Sequence, residues 1–140
     1  MAQRTLGEIV RDQKPLTLPP AATVSQACGA MYARRVGAVL VVDDQHRLLG
    51  IFTGRDAVRL LAEGADARTT PIDQVMTRDP KTLGPRASAM DALLLLNDGG
   101  FRHVPIVDGG RVAGIVSRYD FRAKEQARFD DETGFLEMLR

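Results

Sequence analysis

Between Thr23 and Arg35 the apolar residues Val24, Ala27, Cys28 and Met31 fall at i, i+3, i+4 and i+7, the spacing of one helix face. Thr23 stands where an N-cap residue belongs. Two short, almost wholly apolar runs follow, Ala38–Val42 and Leu48–Phe52, joined by the polar stretch Asp43–Arg47. Runs of that length between polar turns predict covered strands. A second helix is predicted from about Arg55 to Glu63, stopping at Gly64. Upstream, Thr17-Leu18 reads as a brief strand ended by Pro19-Pro20, and Leu6–Val10 is a short apolar opening. The predicted order is strand, helix, strand, strand, helix.

The same order then returns. Ala89, Ala92, Leu93 and Leu96 repeat the helical stripe, strands are predicted at His103–Val107 and Val112–Val116, and a closing helix from about Tyr119. Two heptapeptides mark the repeat most sharply. Gly50-Ile51-Phe52-Thr53-Gly54-Arg55-Asp56 and Gly114-Ile115-Val116-Ser117-Arg118-Tyr119-Asp120 lie 64 positions apart. Their flanks, Thr17-Leu18 with Thr82-Leu83 and Val39–Asp43 with Val104–Asp108, lie 65 apart, because Asp44–Arg47 is one residue longer than Gly109–Arg111. A length change inside a turn is tolerated. Leu6-Gly7-Glu8-Ile9-Val10 also resembles Ile72-Asp73-Gln74-Val75-Met76. The expected fold is α/β (α+β), with pseudo-symmetric β-α-β-β-α repeats at residues 5–65 and 70–128 and a tail at 129–140. A unit of about 60 residues buries only about 60% of its unfolded surface, so the copies are expected to fold as one module.

Each heptapeptide places a hydroxyl and, three residues on, a carboxylate where a strand gives way to a helix. One reading of Thr53/Asp56 and Ser117/Asp120 is a capping box that satisfies the helix start. A second reading is compatible with it. A helix N-terminus attracts phosphate, and a neighbouring carboxylate can accept hydrogen bonds from a vicinal diol, as acidic residues do with ribose. Arg55 and Arg118 lie inside the two turns and are candidates to neutralise phosphate.

With these turns and the apolar strands ending in Val-Asp, residues 5–128 resemble a tandem pair of cystathionine-β-synthase-type (CBS) domains, a Bateman module. The resemblance implies two repeats packed sheet to sheet, with two clefts that bind adenosine-containing ligands: AMP, ADP, ATP or S-adenosylmethionine. It implies ribose contacts from Asp56 and Asp120, and ribose or phosphate contacts from Thr53 and Ser117. It implies base contacts from Val36 and Phe101, and phosphate contacts from Arg102 and His103. Arg102-His103 aligns with Gly37-Ala38. The Asp120 site is therefore expected to take the phosphorylated ligand, and the Asp56 site to be weaker, to prefer less charge or to be empty. His103 has an alternative role as an inward strand histidine bonded to backbone, and Arg102 as a solvated edge charge.

Composition narrows the function further. The net charge of +1 offers no bulk attraction for nucleic acid. No apolar run reaches the roughly 20 residues that span a bilayer. The first residues lack the apolar stretch of a secretory signal, which points to the cytoplasm. One cysteine and two histidines, well separated, give no metal-ligand spacing, so no metal or cofactor is expected. Cys28 aligns with Leu93 and is expected in the core. Asp43 and Asp108 are expected to cap turns, and His46 to be solvated. Without a paired acid and base, metal site or activated nucleophile, the chain is not expected to be an enzyme.

The expected function is a freestanding regulatory module that senses an adenosine-containing nucleotide. Its signal would pass through its own assembly state or an effector protein, since no effector domain is attached. The alternative is a structural or interaction module with vestigial clefts. Leu94 and Leu95 align with Gly29 and Ala30 and widen an apolar face, either enlarging the core or forming a homodimer contact. Leu60 and Leu61 align with Lys124 and Glu125, so the second closing helix is expected to bury a different face. The tail, with Phe135, Leu136, Met138 and Leu139, is expected to be a short docked helix.

Overall fold

The computed structural model describes residues 4–99, 101–121, 125, 127 and 129–131. The elements are α1 (Leu6–Ile9), β1 (Thr17–Leu18), α2 (Val24–Arg34), β2 (Ala38–Val42), β3 (Leu48–Thr53), α3 (Gly54–Glu63), β4 (Thr77–Arg78), α4 (Ala89–Asp98), β5 (His103–Asp108) and β6 (Arg111–Ser117), with 3-10 turns at Ile72–Gln74 and Arg118–Asp120. Glu125, Ala127 and Phe129–Asp131 are also helical.

Local chemistry sets the helix ends. Thr23 and Gln26 cap α2 reciprocally, with the Thr23 N–H donating to Gln26 Oε1 at 2.8 Å and the Gln26 N–H to Thr23 Oγ1 at 3.1 Å. Ser88 and Asp91 do the same for α4 at 3.0 and 3.2 Å. Such caps satisfy N–H groups that have no partner inside the helix. Gly64 ends α3 in the left-handed region at φ 74°, where glycine carries no steric penalty.

The chain forms two compact units that do not follow chain order. One comprises Lys14–Lys81 with Val107–Val112; the other comprises the chain up to Gln13, Thr82–Ile106 and the chain from Ala113. In the first, the sheet runs in the order β1-β2-β3-β4, with β1 parallel to β2 and the other pairs antiparallel. Helices α2 and α3 cover one face. Val24, Ala27 and Met31 meet Val39, Val41, Phe52 and Leu60 in its core, and Cys28 packs against it. In the second unit Leu6, Val10, Ala92, Leu96, Val104, Ile106 and Val116 form the core. Leu93 is fully buried and Leu95 packs on the core, whereas Leu94 is 41% exposed.

The opening segments have changed places. Ile72 and Met76, which open the second sequence repeat, lie in the core built from the first. Leu6 and Val10, which open the first, lie in the core built from the second. This exchange explains the glycine that begins each heptapeptide. A Cβ on Gly50 would stand 2.6 Å from Met76 Sδ and 2.7 Å from the Thr77 carbonyl oxygen. On Gly114 it would stand 2.5 Å from Val10 Cβ and 2.9 Å from Gln13 Oε1. Val10 and Met76 are equivalent in the repeat, so each glycine admits the equivalent residue of the other copy. Gln13 Oε1 also accepts from the Ile115 N–H at 3.0 Å.

Some local expectations need correction. Strand β4 was not foreseen: it is two exposed residues that pair with Gly50 and Ile51. The first strand of the second repeat shrinks to a single bridge, Leu83 with Ile106. The closing helix of that repeat does not grow from Tyr119. Phe121 returns to extended backbone after the 3-10 turn, and helix is seen again at Glu125. Lys124 and the apolar part of the tail, residues 132–140, lie outside the described residues.

Candidate functional site

Antiparallel pairing of β2 with β3 sets Thr53 opposite Ala38. The turn into α3 is held further by the Gly54 N–H, which donates to the Gly37 carbonyl at 3.0 Å. Thr53 and Asp56 form the capping box that the heptapeptide predicts. Asp56 Oδ2 accepts from the Thr53 N–H at 2.9 Å and from its hydroxyl at 3.2 Å, and the Asp56 N–H donates to Thr53 Oγ1 at 3.4 Å. The other carboxylate oxygen faces Arg59 at 3.6 Å. Arg59 in turn donates to the Val75 carbonyl at 3.0 Å, and Arg55 is exposed. Val36 is 41% exposed. It borders an open depression of about 500 Å³ shared with Met31, Tyr32, Ala33 and Arg35.

The second turn copies the first in its bonds but not in its setting. Asp120 Oδ2 accepts from the Ser117 N–H at 2.6 Å and from its hydroxyl at 3.3 Å. Asp120 Oδ1 accepts from no described residue. The Arg4 guanidinium donates to the Asp120 carbonyl at 3.4 Å and is ion-paired with Glu125. Arg118 donates to Asn97 Oδ1 at 3.2 Å, and so lies across the end of α4. Phe101 is 38% exposed and Tyr119 almost wholly exposed. Arg102 is exposed and His103 half-buried.

Two expectations for this turn change. Among the described residues, a helix N-terminus that would draw a phosphate directly follows the turn only in the first repeat, where α3 has ten residues. The second turn is a three-residue 3-10 segment, too short to align a row of peptide dipoles. Any pull on an anion there comes from side chains. His103 is also not satisfied by backbone, because its Nδ1 is buried without a hydrogen-bond partner. Burial pushes its pKa below the ordinary 6.5; Asp120 opposes that shift and Arg102 adds to it. The ring is therefore neutral at pH 7, a polar partner rather than a standing cation. Sequence reasoning missed the Arg118–Asn97 and Arg4–Asp120 bonds because each joins positions with no periodic relation.

The remaining chemistry is sparse. Cys28 is part-buried, and burial raises its thiol pKa, as suits a packing residue. Asp43 caps its turn, accepting from the N–H groups of Gln45 and Arg47 at 2.9 Å each. Those bonds, Arg47 first, lower its pKa. Among the described residues no group of three or more His, Cys, Asp and Glu side chains is placed to hold a metal. No described helix is long and apolar enough to cross a membrane.

The CBS domain family model matches residues 6–63 and 72–125. The chain belongs to the CBS domain family. A CBS domain-containing protein of Arabidopsis thaliana, CBSCBSPB3, is 40% identical over 115 residues, covering 81% of this chain and 20% of that protein. The chain thus spans about a fifth of the length of its curated Arabidopsis relatives. The solved CBS domain protein of Pyrobaculum aerophilum, complexed with AMP, matches with a TM-score of 0.83 at 21% identity, over 91% of this chain and 98% of that one. The CBS domain pair of protein MJ0100, in complex with 5′-methylthioadenosine and S-adenosyl-L-methionine, matches with a TM-score of 0.75 at 21% identity, over 94% and 99%. These likenesses establish the tandem CBS fold.

Proposed function

We propose that this CBS pair is a regulatory ligand-binding module for an adenosine-containing compound rather than an enzyme, and that it acts in the cytoplasm. The observation that carries the reading is Asp120. One carboxylate oxygen holds the turn, while the other has no partner among the described residues. That is the geometry by which a single acid can both cap its own backbone and accept from a ribose diol. Ser117 lies beside the sugar in this reading, Phe101 offers an exposed ring to the base, and Arg102 and His103 meet phosphate. Arg118 joins them only by leaving Asn97. The AMP and S-adenosylmethionine complexes of its structural neighbours fit the same ligand class.

The first repeat offers the parallel set Val36, Thr53, Arg55 and Asp56, with a helix N-terminus in place of strand cations. Both oxygens of Asp56 already have neighbours. This favours a mainly structural turn there and an occupied site at Asp120. The signal passes through an effector protein or through self-association, with exposed Leu94 as part of the homodimer contact.

A melting-temperature screen against AMP, ADP, ATP, S-adenosylmethionine, adenosine and GMP tests the reading. A ligand at 100 times its Kd adds about 2.7 kcal/mol of stability, so an adenosyl compound is expected to raise the Tm clearly. An unchanged Tm with every adenosyl compound would leave an interaction module as the better account.

A further inference from the structure

His103 carries a polar atom without a counterpart. Its Nδ1 is closed off from solvent and unpartnered, the one such side-chain atom among the described residues. Buried polar groups in folded proteins are nearly always paired, so an unpaired one calls for an explanation. The charges acting on the ring are Asp120, from the turn after β6, and Arg102, its neighbour on β5's approach. Asp120 favours a proton on the ring; Arg102 and burial oppose it. An anion arriving here would add negative charge beside the ring and supply the acceptor that Nδ1 lacks. Both effects favour protonation. The first repeat has Ala38 at the matching position and cannot respond in this way.

Building on the ligand reading above, we propose that His103 makes the Asp120 site selective for phosphorylated over unphosphorylated adenosine ligands: it takes up one proton from solution as the ligand binds and donates Nδ1–H to a phosphate oxygen. No ligand bond breaks, and the proton returns to solvent on release. Affinity for a phosphorylated ligand then carries a pH dependence that affinity for its nucleoside does not.

AMP and adenosine serve as probes, titrated into the full chain from about pH 6 to about pH 8, with wild type and His103→Gln in parallel. Wild-type affinity for AMP should weaken as pH rises, by at most about tenfold per unit, the limit for one proton taken up. Adenosine affinity should stay flat. The phosphate's own ionisation, near pH 6, acts in the opposite sense, and His103→Gln should show that contribution alone. NMR of the imidazole resonances gives an independent reading. AMP should raise the His103 pKa, and adenosine should not. Superimposable AMP profiles in the two proteins, or an unmoved His103 titration in AMP-bound protein, would overturn the proposal and the phosphate contact assigned to His103, while the adenosyl-ligand reading would stand. Binding of adenosine without AMP would have the same consequence. If neither probe binds, both readings fall.

Discussion

At the scale of residues, the two halves of each heptapeptide do different work. The hydroxyl and carboxylate close the turn, and the leading glycine makes room for a crossing chain. The first role was legible because capping boxes have a fixed three-residue spacing. The second was not, since nothing adjacent in sequence announces that Met76 or Val10 will approach. Gly50→Ala and Gly114→Ala should each destabilise by about 1–3 kcal/mol, the usual cost of overpacking, and denaturant melts would measure it. A change below experimental error would mean the approach relaxes freely. His103 gives a second prediction at this scale. Its pKa is lower folded than unfolded, so below 6.5 the unfolded chain binds more protons. Stability of the ligand-free protein should therefore fall as pH drops through 6.5, and level off below the folded pKa. His103→Gln should flatten that part of the wild-type profile. Equal slopes in both proteins would show that the ring titrates normally.

At the scale of elements, periodicity identified what burial controls. The stripe Val24, Ala27, Met31 faces the core, and every residue of β2 is buried, as its unbroken apolar run implied. Exposed or very short elements left no such trace. Strand β4 is two polar residues, and its place comes from pairing with β3 rather than from its own propensity. The helix expected from about Tyr119 does not begin there, for a related reason. A cap permits a helix but does not sustain one, and the position that matches Leu60, the core residue of α3, is Lys124 in the sequence. Removing a cap that does start a helix should cost about 1 kcal/mol. Thr23→Ala, measured by chemical denaturation, is therefore expected to lose about that much, and no loss would show the cap to be redundant.

For the molecule as a whole, duplication was readable from matched flanks, whereas the assignment of segments to cores was not. Repeats counted along the chain suggest cutting near residues 65–70. The structure instead places Ile72 and Met76 with the first repeat's core. Ile72 is fully buried, and Ile72→Ala should cost about 2–5 kcal/mol. A fragment spanning 14–81 should accordingly resist unfolding better than one spanning 5–65, despite nearly equal length. Circular dichroism melts of the two fragments would show this, and the reverse order would undermine the exchange of openings. The same asymmetry between equal motifs governs the candidate sites. The sequence showed two matching turns and a difference at Arg102-His103. Only the structure showed that Asp56 Oδ1 faces Arg59 at 3.6 Å, whereas Asp120 Oδ1 has no partner among the described residues.

Calorimetric titration of AMP into wild type, Asp120→Asn and Asp56→Asn separates the contributions of the two carboxylates to ligand binding. Asparagine keeps an acceptor for the cap but weakens recognition of a diol, so binding is read apart from folding. A loss of at least about tenfold, or 1.4 kcal/mol, is expected for Asp120→Asn and a smaller loss for Asp56→Asn. Wild-type affinity retained in Asp120→Asn would contradict the site proposed at Asp120.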